Sequence, residues 1–128
     1  MPVPPRPSSG EVRKIRRRLW QAQDALCHYC HKPTILPEDL LAEYLPLEQI
    51  RAEFSEEMNA LHQQLMAKVP EFRRRWFNEV ATVDHVVEQA LGGTWDEDNL
   101  VMACYSCNHD RGVRFHRRLR LLRGDEDV

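Results

Sequence analysis

The stretch that decides the fold is "VATVDHVVEQALGGTWDEDNLVMACYSCN", residues 80 to 108. Its first eight residues are too short and too β-branched for a helix. A Gly-Gly break, an acidic polar loop and a second apolar run, Leu100 to Ala103, follow. Two strands joined by an irregular loop are expected, then a helix from Tyr105, so the local order is strand, loop, strand, helix. Asp84 and His85 stand inside the first run, where a carboxylate and an imidazole are costly to bury without partners or a task. Adjacent strand residues point to opposite faces, so both reach one spot only where the strand ends or bulges, and an irregular backbone is expected at this pair.

The four cysteines extend the pattern outward. Cys27 and Cys30 form one C-x-x-C, Cys104 and Cys107 another, and the chain has no other cysteine. Two such turns can present four thiolates tetrahedrally to Zn²⁺ at about 2.3 Å each. A redox C-x-x-C is the weaker alternative, because duplicated pairs with none left over are the count a structural site requires. A closed four-thiolate site leaves no position for water or substrate, so zinc here is a staple rather than a catalyst. It would pin the end of the first helix to the start of the last.

On the N-terminal side, Ser8 and Glu11 make a capping box, and Val12, Ile15, Leu19, Ala22 and Leu26 recur at helical steps. This predicts a helix over 9–26 with its arginines on the outer face, preceded by a disordered tail, 1–8. A helical insert is expected over 37–76. Pro37 opens a short helix through Tyr44, and Pro46 opens a longer one carrying Leu47, Ile50, Phe54, Met58, Leu61 and Leu65. Pro70 ends or kinks it before another helical piece. That apolar stripe either covers the core, the commoner outcome, or forms a dimer or protein-partner seam.

A chain of 128 residues has the size of one domain, and its formal net charge of −2 hides a segregated distribution. Arg13, Lys14, Arg16 and Arg17 cluster in the first helix, and residues 111–123 hold six arginines, among them Arg111, Arg114, Arg117 and Arg118, with no acid. Residues 38–57 are strongly acidic. Two arginine-rich runs flanking one candidate site point to nucleic acid, and we expect these eight residues to contact it. No window is apolar enough to span a bilayer, and "MPVPPRPSSG" lacks the apolar stretch of a secretory signal, so a cytoplasmic location is expected.

Asp84-His85, Gly92-Gly93, Asn99-Leu100 and Cys104-Tyr-Ser-Cys107-Asn108, together with "CHYC" at 27–30, resemble the HNH endonuclease family and its ββα-metal motif. The resemblance covers residues 80–112 closely and leaves aside the insert and both ends. It implies hydrolysis of a DNA phosphodiester to a 5′-phosphate and a 3′-hydroxyl. It further implies His85 as general base, Asp84 and Asn108 as ligands of a catalytic Mg²⁺ or Mn²⁺, and Asn99 as the residue holding loop and base in register. Two positions depart from the family's usual pattern: Glu88 where proline is frequent, and Arg111 where lysine is frequent. Arg111 keeps the ability to meet a phosphate.

These residue types suit the chemistry on independent grounds. Imidazole accepts water's proton near neutral pH, and hard oxygen ligands suit a divalent cation that neutralises charge on the phosphate. The expected architecture is therefore α+β and mostly helical. A single domain, 1–128, has a ββα-metal core at 80–112, a structural zinc, and a basic C-terminal helix and acidic tail at 113–128. The expected partner is double-stranded DNA, nicked or cut, with a phage or mobile element as the setting. The alternative is a zinc-stapled DNA-binding or adaptor module that has kept the fold without catalysis.

Overall fold

The computed structural model describes residues 6–46, 56–122 and 124. Helix α1 spans Ser9–Ala22, capped by the Ser8 hydroxyl, which accepts from the Glu11 N–H at 3.2 Å. It buries Val12 and Ile15. It stops four residues before the expected end because Asp24 and Ala25 take positive φ values of 53° and 63°, turning the chain into the first C-x-x-C. The polar side chain at the turn has a use. Gln23 donates to the Met102 carbonyl at 2.9 Å and accepts from its N–H at 2.8 Å, satisfying a strand edge as a neighbouring strand would.

Helices α2 (Pro37–Ala42), α3 (Glu56–Lys68) and α4 (Pro70–Glu79) make up the described part of the insert. Pro37 and Pro70 occupy the first turns of α2 and α4, where a missing N–H is harmless. Leu40, Leu41, Met58, Phe72 and Val80 form the main apolar cluster, with Tyr44, Leu65 and Trp76 packed against it. Met58 and Leu65 of the apolar stripe thus cover core. Of its other members, Leu61 is half-buried, while Leu47, Ile50 and Phe54 lie outside the described residues, as do residues 1–5 of the N-terminal segment and the acidic tail from residue 125.

Strands β1 (Ala81–His85) and β2 (Leu100–Cys104) pair antiparallel in regular register, from Ala81 opposite Cys104 to His85 opposite Leu100. No bulge interrupts the Asp84-His85 pair; instead the strand ends on it, and the backbone bends at Val86 and Val87. Those two valines, expected within the strand, are 50% and 47% exposed. Helix α5 runs unbroken through Gly112 from Tyr105 to Leu122. One sheet face meets α1 through Ala81 and Met102, packed with Leu19 and Trp20, while the other meets α5 through Thr82 and Asn108. This is the expected α+β arrangement of two strands and a following helix. Among the described residues no helix is long and apolar enough to cross a membrane.

Candidate functional site

The two C-x-x-C turns converge. Cys27 follows the end of α1, Cys104 closes β2, and Cys107 lies in the first turn of α5, so three elements meet at the thiols. All four sulfurs lie within 4.8 Å of one another, with Cys30 Sγ 3.9 Å from Cys104 Sγ. Four sulfurs around a tetrahedral Zn²⁺ at 2.3 Å would be about 3.8 Å apart, so the cluster is placed to bind one metal ion and fits zinc. Burial raises the Cys27 thiol, but N–H groups of Cys30, Cys104 and Tyr29 outweigh it and bring the thiol down to about 7. The Cys104 N–H points at Cys27 Sγ at 3.3 Å.

A second cluster joins β1 to α5. Asp84, buried to 6% exposure, accepts from Arg111 Nη1, and the Arg111 guanidinium lies 4.5 Å over the Tyr29 ring. Burial and the nearby Asp84 charge push the Tyr29 hydroxyl up to about 12. Asn108 donates to Thr82 Oγ1 at 3.0 Å and to the Val83 carbonyl at 3.4 Å. Thr82 itself donates to the Ala103 carbonyl at 2.7 Å, so its oxygen must accept from the Asn108 amide nitrogen, which fixes the amide's orientation. Thr82 and Asp84 share a strand face, so Asn108 and Asp84 stand on the same side of the sheet.

His85 faces other neighbours. Its ring meets Trp95 edge-on with centroids 4.5 Å apart, and its Nε2 is buried with no hydrogen-bond partner among the described residues. Burial lowers its pKa from the usual histidine value, and the Asp84 charge opposes that only in part. Asn99 ties down the loop that begins at His85. It accepts from the Val87 N–H at 2.8 Å and donates to the carbonyls of Val87 at 3.2 Å and Thr94 at 3.0 Å. The same loop passes so close to itself that a Cβ on Gly93 would lie 1.8 Å from the Val87 carbonyl oxygen.

The basic residues divide into two sets. Arg111, Arg114 and Arg118 line an open groove of about 530 Å³ beside Tyr29, Val86, Val87 and Leu91, and Arg117 is exposed further along α5. In α1 the expected outward arginines instead converge on one acid. Arg13, Arg16 and Arg17 lie 3.9, 3.6 and 3.2 Å from the buried Glu38 carboxylate, while Lys14 is exposed. Helical spacing had placed these arginines away from the core but carried no signal that α2 would bring an acid against them. Tyr29, Trp95 and Thr82 were also missed. Only Tyr29 had a sequence cue, its place inside the first C-x-x-C.

The family model of the HNH endonucleases matches residues 71–114, which contain both strands, Asp84, His85, Asn99, Cys104, Cys107, Asn108 and Arg111. Neither the curated proteins nor the solved structures give a significant match.

Proposed function

With an HNH endonuclease domain at residues 71–114, we propose that this protein is a metal-dependent endonuclease that hydrolyses DNA phosphodiester bonds. The observation that carries the reading is the placement of Asp84 and Asn108 on one side of the sheet, one residue from His85 at the strand's end. Asp84 supplies a carboxylate, and Asn108, with its nitrogen committed to the strand, offers its carbonyl oxygen. Such a pair suits a hard cation of the Mg²⁺ or Mn²⁺ type, which when bound neutralises charge on the phosphate and on the departing oxygen. His85 takes the proton of the attacking water. The new P–O bond forms as the bond to the 3′ oxygen breaks, and that oxygen takes a proton from solvent water, leaving a 5′-phosphate and a 3′-hydroxyl. Burial lowers the His85 pKa and so favours the neutral ring, the form able to accept that proton.

Asn99 holds the backbone after His85, and the four cysteines would hold a zinc ion that clamps α1, β2 and α5 around the site. Arg111, Arg114, Arg117 and Arg118 would contact duplex phosphates. Arg13, Arg16 and Arg17 contribute less, since Glu38 neutralises part of their charge, and Lys14 is the more available α1 cation.

Plasmid nicking with Mg²⁺ or Mn²⁺ tests the proposal. His85→Ala and Asp84→Ala should each lower the rate at least a hundred-fold while duplex binding stays measurable. A His85→Ala chain that cuts as fast as the unaltered protein would refute the base assignment. The alternative, a binding or adaptor module without catalysis, draws support from the different neighbours of Asp84 and His85 and from the Arg111 pairing of Asp84. It predicts duplex binding with no cleavage at any divalent cation concentration.

A further inference from the structure

Helix α5 has a second cationic and aromatic face that the proposed site does not use. Phe77 of α4 and Tyr105 and His109 of α5 form a three-ring cluster. Phe77 lies 5.5 Å from Tyr105 and 6.0 Å from His109, and the Tyr105 and His109 rings are nearly parallel at 6.1 Å. These rings remain open to solvent: Phe77 is 40% and Tyr105 37% exposed, and His109 is exposed as well. They border a hollow of about 600 Å³ that Arg73 and Arg74 also line. Arg73 is held there by its own bond to the Met66 carbonyl at 2.9 Å.

A second hollow of about 570 Å³ shares His109 and runs along α5 past Gly112 to His116 and Arg120. Steps of three and four residues from His109 to Arg120 keep this strip on one helix face. Gly112 leaves the strip open, since no atom lies within 4 Å of the place a Cβ would take. Among the described residues lining the two hollows, arginines and histidines are the only charged or titratable side chains besides Tyr105. The nearby Asp110 lines the groove beside Arg111 instead.

We propose that this strip binds an unpaired strand of DNA, with bases stacked on Phe77, Tyr105 and His109 and phosphates met by Arg73, Arg74 and Arg120. Rings open to solvent beside cations are the combination that single strands use, because an unpaired base offers a π-face that a duplex keeps inside its own stack. From Tyr105 to Arg120 the helix rises about 22 Å, room for roughly four nucleotides. The inference rests on the DNA reading above but on other residues. It assigns the protein a preference for substrates in which a single strand leaves the duplex near the cut.

Fluorescence anisotropy with an oligothymidine of about twelve nucleotides tests it, in the full chain carrying His85→Ala so that nothing is cut. Tyr105→Ala and Arg74→Glu should each weaken oligothymidine binding about ten-fold, with Tyr105→Trp retaining it and blunt-duplex affinity unchanged in all three. Zinc content is measured alongside, because Tyr105 lies between Cys104 and Cys107, and Arg74→Glu reads the strip at a distance from the thiols. An abasic oligomer of equal length should bind about ten-fold more weakly than oligothymidine. Three results each overturn the proposal: unchanged oligothymidine affinity in both variants, abasic and thymidine oligomers of equal affinity, or a parallel loss on blunt duplex. Failure of the nuclease reading would look different, as an unaltered chain that binds oligothymidine yet leaves plasmid intact.

Discussion

Arg111 on α5 reaches across to β1 and pairs with Asp84, so the carboxylate assigned to a catalytic cation already has a cation of its own. The guanidinium takes one oxygen of that carboxylate, so a divalent ion that needs the same oxygen competes with it. Arg111→Gln should therefore lower the Mn²⁺ concentration for half-maximal cleavage several-fold. It should also raise the KM for DNA, since a phosphate contact is lost. A Mn²⁺ titration at saturating DNA separates the two effects. An unchanged or raised metal requirement in Arg111→Gln would mean that the ion pair does not compete.

The pH dependence of stability has an identifiable source in α3. His62 packs against Phe72 and Trp76, with ring centroids 5.9 and 4.2 Å away, and its buried Nε2 has no hydrogen-bond partner among the described residues. Burial lowers its pKa from 6.5. The unfolded chain therefore binds this proton more readily, and the contribution of His62 is present above 6.5 and lost as pH falls through the folded value. Urea midpoints should decline from pH 7 to pH 5. The decline should be shallower in His62→Phe, which keeps the ring contacts without the proton.

Asn99 makes three hydrogen bonds within the loop after His85, and removing them should loosen the proposed base, His85, more than the fold. Asn99→Ala is expected to cost about 1–3 kcal/mol of stability and a larger factor, ten-fold or more, in kcat. Asn99→Asp, which keeps the acceptor for the Val87 N–H and loses both donors, should fall between the two. Equal losses in stability and rate across the pair would reduce Asn99 to an ordinary turn residue.

The hairpin, the following helix and the thiol cluster were legible because each has a local cause: β-branched runs, a Gly-Gly break, and duplicated C-x-x-C spacing. The described helices of the insert were legible, α2 and α4 from their prolines and α3 from its apolar steps. What sequence could not supply was the partner of each charge. Spacing placed Arg13, Arg16 and Arg17 on one polar face, yet only the docking of α2 explains why that face points at Glu38. In the same way, β1 was readable as a strand, but its termination at His85 depends on bonds from Asn99 fourteen residues later. Long-range polar contacts of this kind follow from the packing of elements, which has no local signature.

The thiol cluster should be indispensable to folding. Structural zinc binds with an apparent free energy of about 10–16 kcal/mol, whereas a domain of this size is stable by about 5–15 kcal/mol. Removing the ion should therefore unfold the protein or leave it close to unfolding. Elemental analysis should find one zinc per chain. Chelator treatment or Cys27→Ser should abolish the cooperative thermal transition, and a chelated chain melting at the original temperature would overturn the assignment of the cluster.

Glu38 offers the last test, because one buried acid meets three arginines and its removal should move stability and the proposed DNA binding in opposite directions. Its carboxylate is 8% exposed while Arg13, Arg16 and Arg17 are 28%, 20% and 47% exposed. Water still reaches the arginines, so Glu38→Gln should cost about 1–2 kcal/mol rather than the 3–5 kcal/mol of a fully buried pair. Charge released from the acid then becomes available to phosphate. Duplex affinity at low salt should rise several-fold, and the slope of log affinity against log salt should steepen by about one unit or more. If Glu38→Gln lowers stability without changing that slope, the arginines of α1 are structural and DNA runs along α5 alone.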